Sequence, residues 1–226
     1  LLSRYKISTT LTSYHEHNAR ARLPLLLKRL EEEDIALVCD AGTPGVNDPG
    51  QELVSAAACQ GIEVVAIPGA SALTAAIAVS GVPISGVQED GFVYLGFLPR
   101  RRGDRKRALG AVMESKAPLV LLEAPHRLVD SLGDVLDVLG DRDIVVCREL
   151  TKLHEEVFRG SVSTAREHFQ EPRGEFCIVV EGAGESPGRV SRPESTAIPL
   201  LNELRERGAR AKDSVALVSA ATGIPK

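Results

Sequence analysis

No apolar run in the 226 residues reaches the length of a membrane-spanning helix. Nor does a charged start followed by an apolar stretch and a small-residue cleavage site read as a signal peptide. These absences predict a cytoplasmic protein that holds no membrane. Cysteine is scarce as well: there are four, with no Cys-x-x-Cys and no Cys/His spacing suited to a metal. Cys39, Cys147 and Cys177 sit in apolar strand-like runs and Cys59 in a helix-like one, so all four are expected to be reduced, buried thiols. The phosphate-loop pattern Gly-x-x-x-x-Gly-Lys-Ser/Thr is missing, which removes the common nucleotide-hydrolase reading. Net charge is −4, so the whole molecule is no polycation that coats nucleic acid. No internal repeat and no low-complexity tract occurs.

What is present is an ordinary share of hydrophobic residues, 43%, enough for one large or two small cores. Prolines and glycines concentrate between Asp40 and Gly50, after the apolar run Ile35–Cys39. They cannot continue a strand or a helix, so the stretch is a loop at the carboxyl end of a strand, where ligands bind in open α/β sheets. Gly42, Gly45 and Gly50 let backbone approach a ligand, and Asp40 and Asp48 offer carboxylates. The plainer reading is a strand-to-helix turn with capping aspartates. A second such loop, Pro68–Ala72, follows the predicted strand Glu63–Ile67 and opens an alanine-rich helix to about Ser80. Alternating strands and helices predict a parallel sheet with both loops on one edge.

Before these loops, Ile7–Tyr14 reads as a short strand, Asn18 as a helix cap, and 19–33 as a helix. Tyr14, His15, Glu16 and His17 form a compact proton-handling cluster, with the two imidazoles on opposite sides if the strand persists. No third ligand is spaced for a metal. Leu1–Tyr5 reads as the end of a helix, so the natural protein is expected to start earlier.

After a linker at Gly81–Asp90, a second α/β unit is predicted. Its elements are the strand Gly91–Phe97, a helix Arg105–Ser115, a strand Leu119–Leu122, a helix to Leu139, strands Ile144–Cys147 and Val157–Gly160, a helix Ser163–Gln170, and the strand Phe176–Val180. Domain boundaries fall at 1–86, 91–183 and 184–226, the last a Gly/Ser/Pro linker followed by short helices Ile198–Arg207 and Ala211–Thr222. Arg100, Arg101, Arg102, Arg105, Lys106 and Arg107 form a basic run with one acid, Asp104, and read either as an RNA contact or as a solvated helix start. A serine-hydrolase elbow at Gly69–Leu73 is disfavoured because Leu73 replaces the second glycine. A non-catalytic RNA-binding module would leave both ligand loops without a purpose.

Six motifs then appear in order: Asp-Ala-Gly-Thr-Pro-Gly-Val-Asn-Asp-Pro-Gly (Asp40–Gly50), Ile-Pro-Gly-Ala-Ser-Ala-Leu (Ile67–Leu73), Gly-Phe-Leu-Pro (Gly96–Pro99), Leu-Glu-Ala-Pro-His-Arg (Leu122–Arg127), Arg-Glu-Leu-Thr-Lys (Arg148–Lys152) and Arg-Gly-Glu-Phe (Arg173–Phe176). Together they resemble the ribosomal RNA small-subunit methyltransferase I family of the tetrapyrrole methylase superfamily. The resemblance implies two α/β domains of the class III methyltransferase type with a small helical appendage. It implies S-adenosylmethionine as cofactor, 2′-O-methylation of a cytidine in small-subunit ribosomal RNA, and a homodimer. Carried over by motif, Asp40, Gly42, Thr43, Pro44, Gly45, Asp48, Ser71, Ala72 and Pro125 would surround the cofactor, and the basic run would hold RNA phosphates. The family's first strand, its Gly-Asn-Leu loop and an acidic Glu-Asp-Thr-Arg segment would precede Leu1.

The reaction needs a base for a ribose hydroxyl. His15, His17, Glu16, Glu123, His126 and Glu149 are candidates, with the Tyr14–Asn18 cluster and Glu149 beside Lys152 favoured. Methylation of a tetrapyrrole is the nearest rival reaction, and the extended cationic run argues against it.

Overall fold

A five-stranded mixed sheet carries the described part of the fold. The computed structural model describes residues 2, 4–84, 91–184, 201–202, 204–205 and 211–222. They fall into two units, Leu1–Gly182 and Ala183–Lys226.

In the first unit the strands are β1 (Val93–Phe97), β2 (Leu119–Glu123), β3 (Asp143–Arg148), β4 (Glu156–Ser161) and β5 (Phe176–Val180), in the order β1-β2-β5-β3-β4. β1 and β2 are parallel and joined through a helix, whereas β5 lies antiparallel between β2 and β3. β2, β3 and β5 are near-continuous apolar runs because both of their faces are covered. One face packs under α4 (Arg102–Gly110), α5 (Pro125–Leu139) and α6 (Val162–His168), with Leu109, Leu128, Leu132, Val135, Val162 and Ala165 buried. The other face, Val120, Val145, Cys147, Cys177 and Val179, lies against Ala76, Leu73 and Ile77 of α3 (Ala72–Ser80). α5 shows why the elements form where they do. Pro125 fits its first turn, Leu128, Leu132, Val135 and Leu139 recur on one face, and Gly140 at φ +84° ends it.

The 1–86 stretch departs from expectation. It contains α1 (Ala19–Leu30), α2 (Gln51–Cys59) and α3. No strand forms at 7–14, 35–39 or 63–67. Among the described residues, 35–39 and 63–70 make no backbone–backbone hydrogen bonds, and Val38, Val64, Val65 and Ile67 are exposed, Ile67 by 82%. A strand has no internal hydrogen bonds, so an apolar run without a paired neighbour has no ladder to hold it. The expected parallel sheet is therefore absent among these residues, and the α/β character rests on 93–180.

Smaller differences have local causes. α1 stops at Leu30 rather than 33 because Glu31, Glu32, Glu33 and Asp34 oppose the negative end of the helix dipole. α4 begins at Arg102, where Asp104 in the first turn is favourable, and ends at Gly110. Asn18 occupies the cap position of α1 without a capping bond, its side chain turning back to accept from the His15 amide at 2.8 Å and to donate to the Ser13 carbonyl at 3.1 Å. Cys147 and Cys177 are buried as expected, but Cys39 is only half-buried and Cys59 is exposed.

In the second unit α7 spans Ala211–Thr222, and residues 201–202 and 204–205 are helical. Most of the Gly81–Asp90 and Gly182–Pro193 linkers, and most of Ile198–Arg207, lie outside the described residues.

Candidate functional site

The strand register gathers four motifs on one edge of the sheet. Phe97 pairs with Leu122, Glu123 with Phe176, and Arg148 with Phe176. β1, β2 and β3 therefore end where β5 begins. Gly96–Pro99, Leu122–Arg127, Arg148–Lys152 and Arg173–Phe176 consequently share that edge.

The Asp40–Gly50 loop meets the same edge. Asn47, left-handed at φ +59°, lays its side chain over Gly96, so that a Cβ there would stand 2.9 Å from both Asn47 side-chain polar atoms. Gly96 itself has φ +60° beside the irregularity in β1. The half-buried Asp48 lies near Cys39 and Tyr94. Burial first, and then the Asp48 charge, push the Cys39 thiol up; burial, Cys177 and Asp48 do the same to Tyr94.

The two glycine loops are tied together as well. The Thr43 hydroxyl donates to the Ala70 carbonyl at 3.2 Å. Ser71 caps α3 by accepting from the Thr74 amide at 3.4 Å. Gly42 and Gly45 have φ +80° and +79°, and a Cβ at Gly45 or Gly69 would meet nothing within 4 Å. These glycines border open space that side chains would fill, next to the first-turn amides of a helix. Such a cradle fits a cofactor with a carboxylate. Asp40 is exposed and Pro44 half-buried in the same loop.

Two carboxylates considered as bases are engaged. Glu123 is 1% exposed; its Oε1 accepts from the Ala124 amide at 2.9 Å and lies 3.3 Å from Arg127 Nε, and its Oε2 accepts from Ser131 at 2.6 Å. Glu149, at φ +48°, accepts through one oxygen from the Glu175 amide at 2.8 Å and from Lys152 at 2.9 Å. Those bonds, the Glu175 amide foremost, hold its carboxyl below the ordinary value of 4.5. Lys152 also reaches Glu175 at 2.9 Å. His126 is exposed at the start of α5, beside the half-buried Pro125.

His15 and His17 are exposed, on a turn closed by bonds from the Asn18 and Ala19 amides to the His15 carbonyl. Because a turn replaces the expected strand, the rings do not diverge but stand edge to face with centroids 6.0 Å apart. The neighbouring Tyr14 hydroxyl is pushed up by burial and then by Glu52, in the first turn of α2 immediately after the Asp40–Gly50 loop.

The basic run separates into two kinds of cation. Arg105 is buried and pairs with Asp134 at 2.6 Å, so it is a structural group rather than the exposed cation expected. Arg102 bonds Asp134 and Asp137, Lys106 bonds Asp137, and Arg107 bonds Asp104. Arg100 and Arg101 are exposed, with no ion pair among the described residues. Asn47, Tyr94 and Asp134 escaped the sequence reading. Asn47 carried a signal, since Asn favours left-handed loop positions, whereas pairing of Asp134 with a residue 29 positions away left none.

Residues 3–166 match the family described as Tetrapyrrole (Corrin/Porphyrin) Methylases. Among curated relatives, "Ribosomal RNA small subunit methyltransferase I" of Halalkalibacterium halodurans is 41% identical, over 100% of this chain and 78% of its own length. The proteins of the same name from Synechocystis sp. and Thermotoga maritima are 44% and 43% identical, over 91% and 80% of this chain and 72% and 81% of their own. Among solved structures, diphthine synthase has a TM-score of 0.57 at 14% identity, over 79% of this chain and 72% of that one. The methyltransferase CobJ has 0.52 at 19%, over 72% and 70%.

Proposed function

Because the chain belongs to the ribosomal RNA small subunit methyltransferase I family, within the tetrapyrrole methylases, we propose that it methylates a cytidine ribose of small-subunit ribosomal RNA at the 2′ oxygen. The methyl donor is S-adenosylmethionine. The observation that carries this reading is the meeting of the Asp40–Gly50 and Pro68–Ala72 loops with the strand ends of the sheet, through Thr43 on Ala70 and Asn47 on Gly96.

Bound S-adenosylmethionine would supply a methyl group activated on a positively charged sulfonium, which departs as a neutral thioether. The chain's own residues then have three tasks. Gly42, Thr43, Pro44 and Gly45 line the cradle with Asp40 and Asp48 at its rim, Ser71 and Ala72 present α3 amides to a carboxylate, and Pro125 flanks it at the start of α5. The ribose proton goes to an imidazole of the His15–His17 turn. Two observations support that choice: the charge of Glu52, in the first turn of the helix that follows the cradle loop, acts on the neighbouring Tyr14, and the rival Glu149 is already held by two donors and weakened as a base. Glu149 and Lys152 instead fix the loop after β3. Arg100 and Arg101 bind RNA phosphates.

The partner is the small ribosomal subunit or its RNA. The reading includes a cytoplasmic homodimer, which light scattering on the purified chain would test. A tetrapyrrole substrate has the description of the matched family and fold likeness at 19% identity behind it, whereas the curated relatives at 41–44% identity are named for ribosomal RNA.

The decisive test is transfer of labelled methyl from S-adenosylmethionine to small ribosomal subunits that lack the modification, followed by nucleoside digestion. Label in 2′-O-methylcytidine is the expected result. Label in a base or in another nucleoside would overturn the assignment. In the same assay Gly69→Val, which fills open space beside the start of α3 at a position without a left-handed φ, is expected to abolish S-adenosylhomocysteine binding while circular dichroism stays unchanged.

A further inference from the structure

Phe97 is the last residue of β1 and is 52% exposed, although this chain has only five phenylalanines. Its partner in the ladder, Leu122, packs against the same buried cluster as Leu73 and Ile77 of α3. Paired residues share a sheet face, so Phe97 stands on the side that carries α3. The next residue, Leu98, is buried, and the chain then runs out through Pro99 to Arg100 and Arg101.

That short strap is held by two guanidinium groups. Arg127 donates to the Leu98 carbonyl at 2.6 Å and to the Pro99 carbonyl at 3.2 Å, and Arg105 donates to Pro99 and Arg100 carbonyls at 3.5 and 3.4 Å. Each guanidinium is backed by a buried carboxylate, Glu123 and Asp134. Four charged groups thus fix the backbone between an exposed aromatic ring and two exposed cations that make no ion pair among the described residues.

We propose that Phe97, with Arg100 and Arg101, is a platform on which an unpaired base of the RNA stacks while its flanking phosphates meet the two arginines. This rests on the ribosomal RNA reading above and deepens it, because it assigns the substrate as a single-stranded nucleotide rather than a duplex surface. An aromatic face takes any base, whereas paired bases are hidden in their own stack. The clamp matters because a ring fixed before binding loses little freedom when the base arrives. Glu123 and Arg127 act here as positioning residues that never touch the RNA.

The test measures binding of the full chain to a single-stranded cytidine-rich oligoribonucleotide, to a duplex of equal length and to S-adenosylhomocysteine. Phe97→Ala and Phe97→Leu should each weaken the single strand by about 5- to 150-fold, the range for loss of one base–aromatic stack. Phe97→Trp should restore it. Duplex and S-adenosylhomocysteine affinities should stay unchanged. Arg100→Ala/Arg101→Ala should weaken single-strand binding and flatten its salt dependence. If Phe97→Leu binds the single strand like the parent while the arginine variant is weakened, the platform is wrong and the RNA reading stands. Loss of S-adenosylhomocysteine affinity in Phe97→Ala would make Phe97 a cofactor wall and overturn the platform. A parent chain that neither binds RNA nor methylates subunits overturns the ribosomal reading itself.

Discussion

At the scale of single residues, the charged groups of this chain mostly hold backbone in place. Arg105 and Asp134 have side chains only 7% and 2% exposed and meet at 2.6 Å, with Arg102 adding a second bond to Asp134. Burial alone would raise the Asp134 carboxyl, but its bonds to Arg102 and Arg105 outweigh that and hold it below its ordinary value. Removing one partner leaves a buried charge uncompensated. Asp134→Ala is therefore expected to cost about 3–5 kcal/mol of stability in denaturant unfolding. A loss below about 1 kcal/mol would mean that Arg105 swings out to solvent. Sequence reading grouped Arg105 with five neighbouring cations because a charge run gives no hint of which member a distant acid will capture.

At the scale of elements, the loop from β3 to β4 is fixed by Glu149, whose carboxylate joins Lys152 to the Glu175 amide at the start of β5. Gly174 makes room for it, since a Cβ there would stand 2.4 Å from Glu149 Cγ. The folded carboxyl titrates below 4.5, so its stabilisation is fully present above that value and is lost as pH falls through the lower, folded one. Parent and Glu149→Gln should therefore differ in melting temperature at pH 7 and converge as pH falls below the lowered value of the folded carboxyl. Curves that stay parallel down to acid would rule out the carboxylate as the source.

Elements also differ in how legible they were. Phe176–Val180 and the end of α5 at Gly140 follow from an unbroken apolar run and a glycine stop, both local signals. Ile35–Cys39 and Glu63–Ile67 carry equally good strand composition yet make no ladder, because pairing is a property of the neighbour. Among the site residues, the glycine loops were legible from composition. Their contact through Thr43 and Ala70, 27 positions apart, was not.

Across the whole first unit, the sheet is a layer enclosed by helices, α4 to α6 on one side and α3 on the other. Cys147 and Cys177 face each other across β3 and β5 in the middle of that layer, and burial pushes their thiols up to about 11 and about 12. At neutral pH almost no thiolate is present at either, and no reagent reaches them while the layers stay closed. Cys59 is exposed on α2. The chain thus contains its own clock: an alkylating reagent should mark exposed Cys59 first, half-buried Cys39 more slowly, and Cys147 and Cys177 together, at the rate at which the layers part. Mass spectrometry of labelled peptides would read that opening without any added probe. Separate rates for the two central cysteines would reveal a sheet that frays strand by strand.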